Sequence, residues 1–221
     1  MSFAMVHILI ADMVREYFSE IKDYPTYILG TIAPDAVHAN KNYTPTLKEK
    51  SHLFTPNLIW GQIDDWNKAE EWLSNIKKYY KENQERYNHD FLLGYVVHLL
   101  ADVYNSMYFY TPFVQSIQGN YEAEMERYKE ESYHMTYYLF SKFSEHKDLS
   151  KLLHNGKAIT LEGIVEQEDI KKRIDYLLEE EFKYRDVRVS QHKICTIQGT
   201  EQLMEGAVNF IKDKSRFIYD A

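Results

Sequence analysis

The run from Phe91 to Asp102 is apolar almost throughout, yet it carries two ionisable side chains, His98 and Asp102. On a helix, residues four apart share a face about one turn apart, so this imidazole and carboxylate can bind one metal ion together. The alternative is a plain hydrogen-bonded His–Asp pair in the core. Either way Asp102 needs a partner, because a buried carboxylate with no cation nearby is expensive.

Three further positions repeat the anomaly. His7 interrupts the apolar stretch Phe3 to Ala11, where a lone core histidine bonded to a backbone carbonyl is the plainer reading. The segment Tyr27 to Asp35 reads as a short apolar helix that ends before Pro34 and delivers Asp35 at its exit, with Gly30 permitting close helix contact. A turn or cap is the ordinary use of such an aspartate. His52 falls in a loop within Lys48 to Phe54, where an exposed histidine is the simple expectation. Together His7, Asp35, His52, His98 and Asp102 mix imidazole with carboxylate and form a metal constellation. Zinc suits that donor set best, ahead of manganese or iron. His38, three residues after Asp35, is either a further ligand or a surface histidine.

These residues need a rigid frame, and the pattern supplies one. All five prolines lie at or before position 112, so helices should dominate the second half. The spacing predicts helices from Ser2 to Phe18, from an Asp65 cap to Glu82, and from an Asn88 cap to Phe109 before Pro112. Others run from Asn120 to Phe143, Gln167 to Phe182 and Thr200 to Phe217. Segments 32–64, 146–166 and 183–199 read as irregular, with a weak strand pair around 157–161 and 187–189. The expected fold is an all-α multi-helix bundle forming one domain over residues 1–221.

Composition removes other classes. The single cysteine, Cys195, allows neither an internal disulfide nor a multi-cysteine zinc site, and it has no activating neighbour. The runs Phe3 to Ala11 and Phe91 to Ala101 are far shorter than the roughly 18 to 20 apolar residues of a membrane span. Nothing at the start reads as a secretory leader, so a cytoplasmic location is expected. The net charge of −8 is spread over both halves without a basic face, which argues against duplex nucleic acid as a partner. Tyr104, Tyr108 and Tyr110 line either a pocket or the edge of the core, and Glu179 to Glu181 read as a solvated face.

In Leu29 to Asp35, Ser51 to Phe54 and Gly94 to Asp102, with His7 ahead of them, the chain resembles the zinc-dependent phospholipase C family, whose fold is shared by zinc-dependent nucleases. The resemblance covers about residues 3–112. It implies that Asp35, His52, His98 and Asp102 surround one zinc, that Asp102 bridges to a second metal held by His7, and that Asp35 is also the general base. The chain departs from the family pattern twice. It begins Met1-Ser2-Phe3 where the secreted enzymes place a ligating tryptophan, and His134, His146, His154 and His192 lack a glutamate four residues on. The resemblance therefore implies one strongly held ion, at most two. The expected function is hydrolysis of a small phosphoester or phospholipid-like substrate by a metal-activated water. The alternative is a non-catalytic helical binding or scaffold protein with a structural metal site.

Overall fold

The computed structural model describes residues 4–144, 148–183 and 185–219. Among them the fold is all-α: α1 Ala4–Val14, α2 Tyr24–Ile32, α3 Pro45–Ser51, α4 Trp66–Asn83, α5 His89–Asn105, α6 Thr111–Ser116, α7 Tyr121–Ser144, α8 Leu149–Asn155, α9 Gln167–Tyr176 and α10 Ile197–Lys214. The weak strand pair does not form. Leu161 and Val165 make an isolated bridge, and Val189–Gln191 is a 3-10 turn.

The starts of the helices are chemically specified. Asp23, Thr44, Asp65, Asn88 and Thr196 each accept a hydrogen bond from a backbone N–H in the first turn of α2, α3, α4, α5 and α10. Pro25 and Pro45 lie within first turns, where a missing N–H costs nothing. With Thr196 as its cap, α10 starts at Ile197, three residues before the expected Thr200, and the expected cap Ser2 lies outside the described residues. Pro112 does not stop its helix. A π turn, Ser106–Tyr110, joins α5 to α6 and carries Pro112 in the first turn of α6, where its nitrogen owes no helix bond.

Helix α5 is the centre of the bundle, with every residue from Asp90 to Val103 buried. Helices α1, α2, α4 and α10 pack around it, α2 most extensively. The α2–α5 crossing is a glycine contact: a Cβ on Gly30 would stand 2.1 Å from the Phe91 carbonyl oxygen, and one on Gly94 2.0 Å from that of Tyr27. Only hydrogen fits at either position, so the two backbones touch. The 3-10 turn Pro34–Ala39 continues from α2 and packs against α3 and α9. This turn, α1, α3 and α5 meet around one buried polar cluster.

Candidate metal centre

All five sequence-predicted ligands converge. His7 comes from α1, Asp35 from the 3-10 turn, His52 from the end of α3, and His98 and Asp102 from α5. His52 is not the exposed loop residue that the sequence suggested: it caps α3 and is fully buried. Asp102 is the hub. Its Oδ2 lies 3.3 Å from His52 Nε2 and 3.5 Å from His98 Nε2, and its Oδ1 lies 3.4 Å from His7 Nε2. His52 Nε2 is also 3.6 Å from Asp35 Oδ1. His7 and His98 stack at 3.7 Å between ring centroids.

These separations bear on the two readings of the pair on α5. They exceed the roughly 2.7–3.2 Å of an N–H···O hydrogen bond. They are near the roughly 3.3–3.4 Å between ligand atoms that each lie about 2.0–2.1 Å from a tetrahedrally held ion. His52 Nε2, His98 Nε2, His7 Nδ1 and both Asp102 oxygens are buried without a hydrogen-bond partner among the described residues. Ligating atoms fall into two groups, His7–Asp35–His98 and His52–His98–Asp102, each within 4.8 Å. Leaving the Asp102 carboxylate here uncompensated would cost several kcal/mol, a large part of the stability of a small domain. The donor set therefore fits a divalent cation.

The outer shell orients the rings. His98 donates from Nδ1 to the Thr31 carbonyl at 2.7 Å, an end-of-helix acceptor that α2 leaves open. His52 donates from Nδ1 to the Lys48 carbonyl at 2.9 Å, with Ser51 Oγ 3.0 Å away. Ser51 in turn donates to the Pro34 carbonyl, and Trp72 Nε1 donates to the His52 carbonyl at 2.6 Å. Each bond turns a lone pair of Nε2 toward Asp102.

The electrostatics are those of ligands ready to bind. Burial pushes the imidazoles of His7 and His52 down, His52 to about 4, so both are neutral at neutral pH. Burial opposes ionisation of Asp35, but the Lys48 ammonium beside it holds its carboxyl well below the usual carboxylate range. Lys48 stays charged; the nearby Asp35 raises its ammonium against the effect of burial.

The cluster opens at Asp35. A cleft of about 610 Å³ runs from it, lined by His38, Lys129, Lys172, Arg173 and Glu181 among others. His38 is partly exposed, with Nε2 3.7 Å from Asp35 Oδ1. A second cleft of about 510 Å³ shares Lys129 and is lined by Lys48, Trp60, Tyr110, Met125 and Tyr128. Tyr110 thus lines a pocket, while Tyr104 and Tyr108 pack on each other elsewhere. Arg173, Lys48 and Lys129 were not singled out by sequence reasoning. Glu181 is not on a solvated face: it is buried and bonded to Arg173. The signal for Arg173 was available, because it falls on the apolar stripe Ile170–Ile174–Leu177 as His98 does on α5.

The described downstream histidines, His134, His154 and His192, are not part of the cluster. His134 and His192 stack at 5.7 Å, His154 accompanies the Ser150 carbonyl, and His146 lies outside the described residues. Cys195 is buried, which pushes its thiol up and leaves it unreactive. Among the described residues no helix is long and apolar enough to cross a membrane. Compared with protein-family models, curated proteins and solved structures, the chain matches none of them significantly.

Proposed function

We propose that the protein is a zinc-dependent phosphoester hydrolase that works in the manner of the zinc-dependent phospholipase C enzymes it resembles in sequence. The observation that carries this reading is the position of Asp35, which belongs to the ligand cluster on one side and to an open, cation-lined cleft on the other. A purely structural ion would be enclosed by side chains on all sides. Bound among His52, His98, Asp102 and Asp35, zinc would act as a Lewis acid and lower the pKa of a water at neutral pH.

The chain's own residues supply the rest. Asp35 remains ionised at neutral pH, so its carboxylate can accept a proton from a water positioned at the cleft end of the cluster. Lys48 stays charged beside Asp35 and offsets negative charge that develops on phosphoryl oxygens. The Trp60, Tyr110 and Tyr128 rings form an apolar wall for the organic part of the substrate.

The test is a panel of phosphodiesters and phosphomonoesters offered to chelator-treated protein before and after zinc is restored. Zinc-dependent cleavage of at least one class is expected. Metal-loaded protein that cleaves none would favour a helical scaffold with a structural ion.

A further inference from the structure

The cleft beyond Asp35 contains an ion pair that the metal cluster does not use. Arg173 on α9 donates from Nη1 to Glu181 Oε1 at 2.6 Å, and the two side chains are 7% and 1% exposed. Their meeting is a product of the π turn Leu177–Glu181. On a regular helix at about 100° per residue, position 180 would face Arg173 and position 181 would point roughly 80° away. The extra residue of the wider turn brings Glu181 round instead.

Glu181 fixes the guanidinium without satisfying it. Arg173 Nε is buried and has no hydrogen-bond partner among the described residues, and the group lies 5.5 Å from the centre of the Tyr176 ring. Arg173 lines the cleft, and Glu181 takes only one of the five N–H donors of its guanidinium. Lys172 and Lys129 line the same cleft from α9 and α7, so the ligand should be an anion. The cleft's volume is that of roughly twenty waters at about 30 Å³ each, more than one phosphoryl group beside Asp35 requires. The 3-10 turn holds the two features together: Asn40, just after it, donates to Asp169 on α9 at 2.6 Å.

We infer that this cleft is a subsite for a second phosphate-type oxyanion, carried by the substrate next to the phosphoester that is cleaved. Arg173 is its principal donor, Lys129 and Lys172 flank it, and Glu181 is the positioning residue that holds the guanidinium. The subsite itself stands on the cleft; its assignment to a substrate rests on the phosphoester reading.

Inorganic phosphate titrated calorimetrically into chelator-treated protein tests the subsite with the metal out of the way. Saturable binding to one site is expected. Lys129→Gln with Lys172→Gln should weaken it roughly tenfold, and Arg173→Gln more, by roughly 10- to 100-fold, as loss of charge-assisted bonds implies. Because Arg173→Gln alone strands a buried glutamate, the double variant Arg173→Gln/Glu181→Gln is measured beside it, with circular dichroism to show that it folds. No saturable phosphate binding, or binding that none of these variants weakens, overturns the inference.

Kinetics on the zinc-loaded protein separates it from the functional proposal. Wild type should favour a phosphodiester that bears an extra terminal phosphate over the matched diester without one, and the Lys129→Gln/Lys172→Gln protein should lose that preference. Hydrolysis with no such preference overturns the assignment of the anion to the substrate. Phosphate binding that depends on Arg173 in a protein that hydrolyses nothing overturns the phosphoester reading and leaves the subsite standing.

Discussion

The hydrogen bond from His98 Nδ1 to the Thr31 carbonyl oxygen, 2.7 Å long, ties the ligand helix α5 to the end of α2 and turns His98 Nε2 toward Asp102. It depends on how closely the two helices approach, and that approach depends on Gly30 and Gly94. A methyl group on either glycine would collide with backbone, which cannot swing aside as a side chain can.

Gly30→Ala should therefore destabilise the protein by about 3 kcal/mol or more, a fall in Tm on the order of 10 °C for a chain of this size. Metal affinity should fall with it, because Thr31 moves away from His98. Thermal unfolding and zinc titration of the same preparation check both effects. A variant with wild-type Tm and affinity would show that the glycine contact does not set the ligand geometry.

Trp72→Phe removes one N–H from the His52 carbonyl and keeps an aromatic ring in place. Loss of such an outer-shell bond should weaken zinc binding roughly 10- to 100-fold. Competition with a chromophoric chelator measures it; unchanged affinity would mean that the Lys48 carbonyl alone orients His52.

Much of this site is legible in the sequence, for one reason. An ionisable residue on an apolar helix face needs an explanation, and His98, Asp102 and His7 each stand out that way. Asp35 is legible through Pro34, which breaks α2 where the ligand is needed. The burial of His52 is not legible, because Pro34, Tyr95 and Trp72 meet the end of α3 from distant parts of the chain. Glu181 is misread for a geometric reason: a π turn shifts the helical phase by one residue, and period counting assumes a constant phase. Pro112 likewise marks no helix end, because a π turn precedes it.

Acid should act on the site at lower pH than free histidine would suggest. His52 and His38 are pushed down to about 4, against about 6.5 in an unfolded chain. Zinc should then stay bound through about pH 5 and leave as pH approaches 4, below the range of about 6 to 5 expected of ordinary imidazoles. The sign for the metal-free fold follows from the same shift. Between pH 6.5 and 4 the unfolded chain binds more protons, so stability must fall as pH drops through that window. Urea midpoints of chelator-treated protein at several pH values check this, and a midpoint that rises on acidification would contradict it.

Asp35→Asn keeps the size of the side chain and one ligating oxygen but removes the charge and the basicity. On the proposed chemistry it should lower kcat roughly 100-fold or more while most of the zinc is retained. Parallel metal analysis and turnover on the best phosphoester decide it; full activity with full metal content would remove Asp35 as the base.

The central claim is that His52, His98 and Asp102, with Asp35, are ligands of one tightly held ion. His98 belongs to both ligand groups, yet its Nδ1 is committed to Thr31, so it has a single lone pair to give. A second ion would have to rely on His7 and Asp102 Oδ1. Anomalous scattering at the zinc edge, from crystals grown with zinc, tests this directly. The account predicts one strong peak about 2.0–2.2 Å from His52 Nε2, His98 Nε2 and Asp102 Oδ2, with at most a weaker second peak beside His7. No peak inside the cluster, or three fully occupied peaks around His98, would contradict it.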